Sequence, residues 1–189
     1  MEREYKVLNK QVFSKGNYSL VPIRNEDRYN IMRWRNEQLN HLRQSKPLSV
    51  ESQDAYFYNT IASLFNEEKP KQILYSFIYK SELVGYGGLI NINYVDRNAE
   101  ISFVMKTELQ ELYIEKFWTE YLKLFKQPAF KELKLRKIYT YAFDVRERFY
   151  PALENAGFSL DARLSEHYFV EEYHDALVYS FWNPTVNLK

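Results

Sequence analysis

The chain has no cysteine among its 189 residues, which excludes disulfides, thiolate nucleophiles and cysteine-ligated zinc, and fits a reducing compartment. Glycine is nearly as scarce: there are five, and none lies between Gly88 and Gly157. No segment approaches the roughly 20 apolar residues of a membrane span, and the opening MEREYKVLNK has no apolar core of signal-peptide length. Excess charge is lacking too. Lys and Arg (26) nearly cancel Asp and Glu (25), for a formal charge of +1, so no global field calls for nucleic acid or an anionic membrane, and any anion recognition must be local. His41, His167 and His174 show no metal-ligand spacing, so no metal is expected. The reading is a cytoplasmic protein with one domain's worth of core.

What the chain has in abundance is aromatic residues, 17% of the total with 17 Tyr, a supply for a core whose hydroxyls sit at the edges. Residues 1–16 are polar, end at SKGN, and are expected to form a flexible arm ahead of one domain over 17–189. YSLVPIR alternates as a strand. NEDRYNIMRWRNEQLNHLRQ reads as one broken helix or two short ones, with Asn25 in the position of a cap. PLSVESQDAYFYNTIASLFNEEKP keeps helical spacing at Tyr56, Ile61, Leu64 and Phe65, behind an imperfect capping box at Ser49 and Ser52. The period then switches to that of strands. KQILYSFIYK and ELVGYGGLININYV flank a hairpin at KSE, and NAEISFVM follows the turn VDRN, which makes three antiparallel strands in a row. Helical spacing returns in TELQELYIEKFWTEYLKLFKQPAF, where Thr107 and Gln110 form a T-x-x-Q capping pattern directly after a strand. A strand LRKIYTYAF, a short helix with Pro151 in its first turn and Gly157 as a left-handed stop, and strands in ARLSEHYFV and HDALVYSF complete the chain.

Three stretches carry a family resemblance: LVGYGGLININYVDRNAEISFVM, ALENAGF and ARLSEHYFVEEYHDALVYSF. They resemble the central strands, the helix ending and the closing segment of the GNAT superfamily of acyl-CoA-dependent N-acyltransferases. The branch they are most similar to includes ribosomal-protein and bacterial amino-sugar (surface-polysaccharide) acetyltransferases. The resemblance covers about residues 17–182. It implies an α/β (α+β) GNAT fold, a mostly antiparallel mixed sheet of about seven strands flanked by about four helices. It further implies acetyl-CoA as co-substrate and a small-molecule amine acceptor, such as an amino-sugar nucleotide, and it allows a homodimer. Two other readings stay open: a protein N-terminal acetyltransferase, and a GNAT-shaped binding protein that transfers nothing.

By the resemblance, Phe103, Val104 and Met105 would touch the pantetheine arm and the thioester. Glu100 on the same strand would take the amine proton, although a carboxylate there also reads as a strand-end partner of Arg97. The family's usual proton-donating Tyr is replaced by Leu153, which leaves Tyr150, one helical turn earlier, as the candidate acid. Arg146 stands where a cofactor-binding Asn is common. The family's diphosphate loop carries glycines, and none is present here. Lys106, Lys116 and the amides up to Gln110 are the expected substitutes, opposed by the charges of Glu108 and Glu111. On the acceptor side, Arg33 and Arg43 are expected to grip an anionic group, with Tyr173 and Asp175 bordering it.

Overall fold

A single eight-stranded sheet orders the chain β1-β2-β3-β4-β5-β6-β8-β7, and the computed structural model describes residues 3–42, 44–144 and 149–186. The strands and helices run in the order β1 (Phe13–Lys15), β2 (Tyr18–Pro22), α1 (Arg28–Glu37), α2 (50–64), β3 (Ile73–Tyr79), β4 (Glu82–Asn93), β5 (Asn98–Met105) and α3 (Gln110–Lys126), followed by β6 (Lys137–Phe143), α4 (Tyr150–Asn155), β7 (Ser159–Val170) and β8 (Glu172–Trp182). Each pairing is antiparallel except β5 with β6. No helix among the described residues is long and apolar enough to cross a membrane.

Several local expectations hold for the reasons given. The β3–β4 hairpin turns through Lys80 and Ser81 at φ 48° and 70°, the doubly left-handed pair of a type I′ turn, which matches the twist of the flanking strands. Pro151 sits in the first turn of α4, and Gly157 ends that segment at φ 83°. The box at the start of α2 is complete, because the Ser52 hydroxyl takes the role of the usual Glu: it accepts from the Ser49 amide at 2.9 Å while its own amide donates to Ser49 Oγ at 3.2 Å. Two helices widen to the π form, α2 over Tyr56–Ile61 and the chain after α3 over Gln127–Glu132. In the second, Pro128 withholds the amide that an α-helical turn needs.

Three expectations need correction. The opening segment is no loose arm: Tyr5, Leu8 and Phe13 are buried, Tyr5 stacks on Phe65 at 4.3 Å, and its hydroxyl bridges Leu74 O (2.8 Å) and Leu74 N (2.9 Å). SKGN is the turn that pairs β1 with β2, with Gly16 at φ 58°, and so the sheet gains an eighth strand. Asn25 caps nothing; Arg24 and Asp27 occupy the cap positions of the 3₁₀ turn and of α1, and neither makes a side-chain cap bond. At the head of α3 the expected Thr107 box is absent. The chain enters a 3₁₀ turn, Thr107–Leu109, from Lys106 at φ −49°, and the Thr107 hydroxyl instead accepts from Gln38 Nε2 at 3.0 Å.

The core lies on both faces of β3 to β5. On one face α3 packs Tyr121, Phe125 and Trp118 against Phe77, Phe103 and Tyr75, a run of edge and stacked contacts that begins with Phe103–Tyr121 at 4.0 Å. Gly87 is required here, since a Cβ would meet Ser102 O at 2.1 Å and the Tyr121 hydroxyl at 2.6 Å. On the other face lie α1 and α2, with Ile31, Trp34 and Phe57 buried.

The periphery is tied by carboxylates. The Arg28 guanidinium holds the Asp54 carboxyl below its ordinary range, the Lys137 ammonium does the same for Asp161, and the Glu166 amide, joined by Arg163, does so for Asp175. A carboxylate whose folded-state pKa is depressed stabilises the fold fully above its unfolded value, near pH 4, and that contribution disappears as pH falls through the folded value. The urea midpoint is therefore expected to fall below pH 4, and Asp175→Asn to show a smaller acid-side loss than wild type. Equal midpoints at pH 6 and pH 3, about two units above and about one unit below the reference carboxylate value, would contradict this.

Candidate active site

β5 and β6 run parallel and pair only at Asn98–Lys137, Ala99–Ile138 and Glu100–Tyr139. Beyond that point the strands diverge, β6 following β8 as far as Phe143 while β5 follows β4 as far as Met105. The fork leaves their facing backbone edges without a ladder partner, and buried backbone groups need partners. A cavity of about 500 Å³ opens there. It is walled by Ser102, Phe103 and Val104 on one strand, by Thr140–Phe143 on the other, and by Trp118 and Phe149 at the α3 and α4 side. Across the sheet it continues to Arg35, Tyr56, Gln72 and Tyr86 beneath α1 and α2. Thr140, only 3% exposed, lines this cavity, and its hydroxyl has no hydrogen-bond partner among the described residues.

Glu100 occupies the branch point, 4% exposed, and its side chain lines the cavity. Its carboxylate oxygen accepts from Asn91 Nδ2 at 3.0 Å. Asn91 reaches it from a bulge in β4, where the register shifts between Ile90 and Asn93 and Asn91 takes φ 51°, a left-handed conformation that Asn tolerates. By strand alternation Glu100, Ser102 and Val104 share the α1/α2 face with their partners Ile90, Gly88 and Tyr86. Phe103 and Met105 point to the α3 face.

The other residues singled out from sequence distribute as follows. Phe103 and Val104 line the cavity, whereas Met105 is buried beside it and offers its carbonyl to Gln38 Nε2 at 2.8 Å. Lys106 and Gln110 flank the head of α3, both half-buried. Lys116 lies on the outer face of that helix with its ammonium 5.6 Å from the Tyr79 ring centre, away from the fork. Tyr150 does not line the cavity: its hydroxyl donates to Asp144, its ring stacks on Tyr179 at 5.9 Å, and burial together with that carboxylate pushes its pKa up. Arg33 pairs with Glu108 at 3.2 Å, at the head of α3 and outside the cavity. Tyr173, 66% exposed, packs on Phe169 in the β7–β8 hairpin, and Asp175 is held there by Arg163 at 2.7 Å. Neither borders the cavity. Arg43 and Arg146 lie outside the described residues.

The sequence assigned no site role to Tyr56, Tyr86, Thr140 or Asn91, and it offered Arg35 only as one of three arginines, with Arg33 and Arg43, in the acceptor-side stretch RWRNEQLNHLRQ. The signal for Asn91 was present, since an Asn within a strand that also carries glycines marks a bulge. For Arg35 the signal was its place among those arginines, with nothing local to favour it over Arg33 or Arg43. The described residues contain no group of three or more His, Asp or Glu placed to hold a metal ion.

The head of α3 answers whether a glycine-free junction is sterically workable. From Asn98 to Leu133 no described residue has positive φ, so the strand-to-helix passage needs no left-handed backbone. Gln38, buried at the end of α1, clamps it from both sides through Met105 O and Thr107 Oγ1. The 17-residue α3 then presents its positive dipole end, and Arg33 offsets the charge of Glu108.

Comparison with known proteins agrees with this geometry. The family described as "Acetyltransferase (GNAT) domain" matches residues 20–178. No curated protein matches the sequence. Among solved structures, the chain is similar to spermidine N-acetyltransferase from Vibrio cholerae in complex with CoA and spermine, with a TM-score of 0.74 at 19% identity, over 89% of this chain and 96% of that one. It is also similar to the ribosomal-protein-S5-alanine acetyltransferase from Vibrio fischeri, with a TM-score of 0.73 at 14% identity, over 93% and 98%. The forked sheet, the helix set against the fork and a family match over most of the length lead to one conclusion: the chain belongs to the GNAT family of acetyltransferases.

Proposed function

We propose that the protein transfers an acetyl group from acetyl-CoA to the amine of a small molecule, with an amino sugar or its nucleotide as the acceptor. The observation that carries the reading is the cavity that passes through the β5–β6 fork, with Glu100 at the branch. The unpaired strand edge at Ser102–Val104 suits the pantetheine arm, whose amides can add to it as a further strand would, and Thr140 lines the same space. The diphosphate would take the head of α3, where Arg33 compensates Glu108. Glu100 accepts a proton from the attacking amine, directly or through one water. In the transfer a C–N bond forms and the C–S bond breaks; one amine proton passes to Glu100, and the released thiolate takes a proton from solvent. Tyr150, with its hydroxyl committed to Asp144, is not needed in this scheme.

A polyamine acceptor, such as the spermine held by the similar Vibrio cholerae enzyme, finds little support here, because the described lining of the cavity has one carboxylate and one guanidinium. The test is calorimetry with acetyl-CoA followed by thiol release on an amine panel; with no cysteine in the chain, any thiol signal comes from CoA. Binding and acceptor-dependent thiol release are expected. No binding at about 1 mM acetyl-CoA, a free energy of only about 4 kcal/mol, would leave a GNAT-shaped binding protein.

A further inference from the structure

The side of the cavity covered by α1 and α2 contains a cation with no counter-ion among the described residues. Arg35 projects from α1 into this space and is held by two neutral groups: its Nε donates to Gln44 Oε1 at 2.8 Å and its Nη1 to the Tyr86 hydroxyl at 2.8 Å. Among the described residues it makes no ion pair, and the groups that face it from β4 and α2 are the phenols of Tyr86 and Tyr56. Its neighbours on the same helix behave otherwise, Arg28 being paired with Asp54 and Arg33 with Glu108. A half-buried guanidinium gives up hydration that two neutral acceptors only partly replace, and three of its five N–H groups remain for a ligand. The support is also rigid: Gln44 Nε2 donates to Asn36 Oδ1 at 3.2 Å, and Asn36 holds Leu48 by its amide (2.7 Å) and its carbonyl (2.9 Å), so the α1–α2 connection fixes Arg35 in place.

We infer that Arg35 is a specificity-determining residue that selects acceptors carrying a carboxylate or phosphate in addition to the amine. The inference rests on the proposed acetyl transfer for the position of the amine and deepens it by naming the acceptor class. Tyr86, the Arg35 partner, and Ile90, the partner of Glu100, are four residues apart on β4, about 13 Å at the usual rise of a strand. An acceptor that spans the site therefore holds its anionic group within about 13 Å of its amine, the scale of a sugar phosphate or a sugar acid and shorter than an extended polyamine with charges at both ends. Cations at that end of the cavity meet Arg35 and are disfavoured.

The experiment is calorimetry with four ligands: glucosamine, glucosamine 6-phosphate, an amino-sugar uronate and spermidine. The phosphate or the uronate is expected to bind about 10- to 100-fold more tightly than glucosamine, the range of a hydrogen-bonded charge pair, with spermidine weakest. The tighter of the two identifies the anion. Arg35→Gln should abolish the preference by weakening the anionic ligands far more than glucosamine, and Arg35→Lys should restore part of it. The inference is overturned if spermidine or glucosamine binds as tightly as both anionic ligands, or if Arg35→Gln weakens all four equally. Thiol release with the same ligands is read separately: selective binding without acetyl transfer would remove the proposed function and leave Arg35 as an anion site.

Discussion

Glu100→Gln is expected to lower kcat/KM by about 10²- to 10⁴-fold, the usual worth of a positioned general base, while acetyl-CoA binding stays within about twofold. Glu100 is buried at 4% exposure, lines the cavity at the point where β5 and β6 separate, and has its carboxylate oriented by Asn91 from a bulge in β4. A buried carboxylate at a strand fork is expensive to maintain for structure alone, and the amide of Asn91 meets part of that cost. Gln keeps the shape and one acceptor oxygen, so the variant isolates proton acceptance from packing. Asn91→Ala, which loosens the carboxylate without removing it, should lose much less, mostly in kcat. Unchanged turnover and pH profile in Glu100→Gln would end its assignment as the base.

The second large effect is on stability. Tyr121→Ala is expected to destabilise the fold by about 3–5 kcal/mol, as for other large aromatic residues removed from a core. Tyr121 is fully buried, stacks on Phe103 at 4.0 Å, and touches Phe77 (5.4 Å) and Phe125 (4.6 Å). Its hydroxyl donates to Ser102 O at 2.7 Å. Tyr121→Phe keeps the ring and leaves that carbonyl short of a donor, a loss of about 1–3 kcal/mol. Urea unfolding measures both, and an Ala variant within about 0.5 kcal/mol of wild type, the scatter of a surface change, would refute the packing account. Because Ser102 lies on the strand that walls the fork, the same bond links core and site: α3 holds β5 to its side of the divergence. Gly87 is the matching constraint, for any Cβ there would strike both ends of the bond.

Much of the architecture was legible because it is written in local periodicity. The switch from helical to alternating spacing near Lys71, the KSE hairpin, and the Pro151 and Gly157 punctuation all depend on residues within a few positions of one another. β1 was missed for the complementary reason: three residues are too few for a period, and what holds the opening segment is Tyr5 bonded to Leu74, 69 residues away. The absence of glycine after β5 looked like an obstacle because a loop was assumed. The chain makes a 3₁₀ turn instead, and the clamp from Gln38 comes from 67 residues earlier.

The sequence by itself determined the family and the order of elements, since each rests on patterns carried by contiguous residues: GYGG ahead of AEISFV, ALENAGF, and the closing pair of strands. Only the tertiary structure decided which side chains share the cavity. On α1, Arg33 and Arg35 flank the buried Trp34, each about 100° from it around the helix. Nothing local distinguishes the two sides. The sheet does: one side of α1 meets Tyr86 on β4 and turns Arg35 inward, while the other meets the head of α3 and gives Arg33 to Glu108. Tyr150 went to Asp144 in the same way, by a partner that helical spacing cannot reveal. A side chain's direction around its own axis follows from local geometry, but what stands opposite it is set by elements distant in sequence.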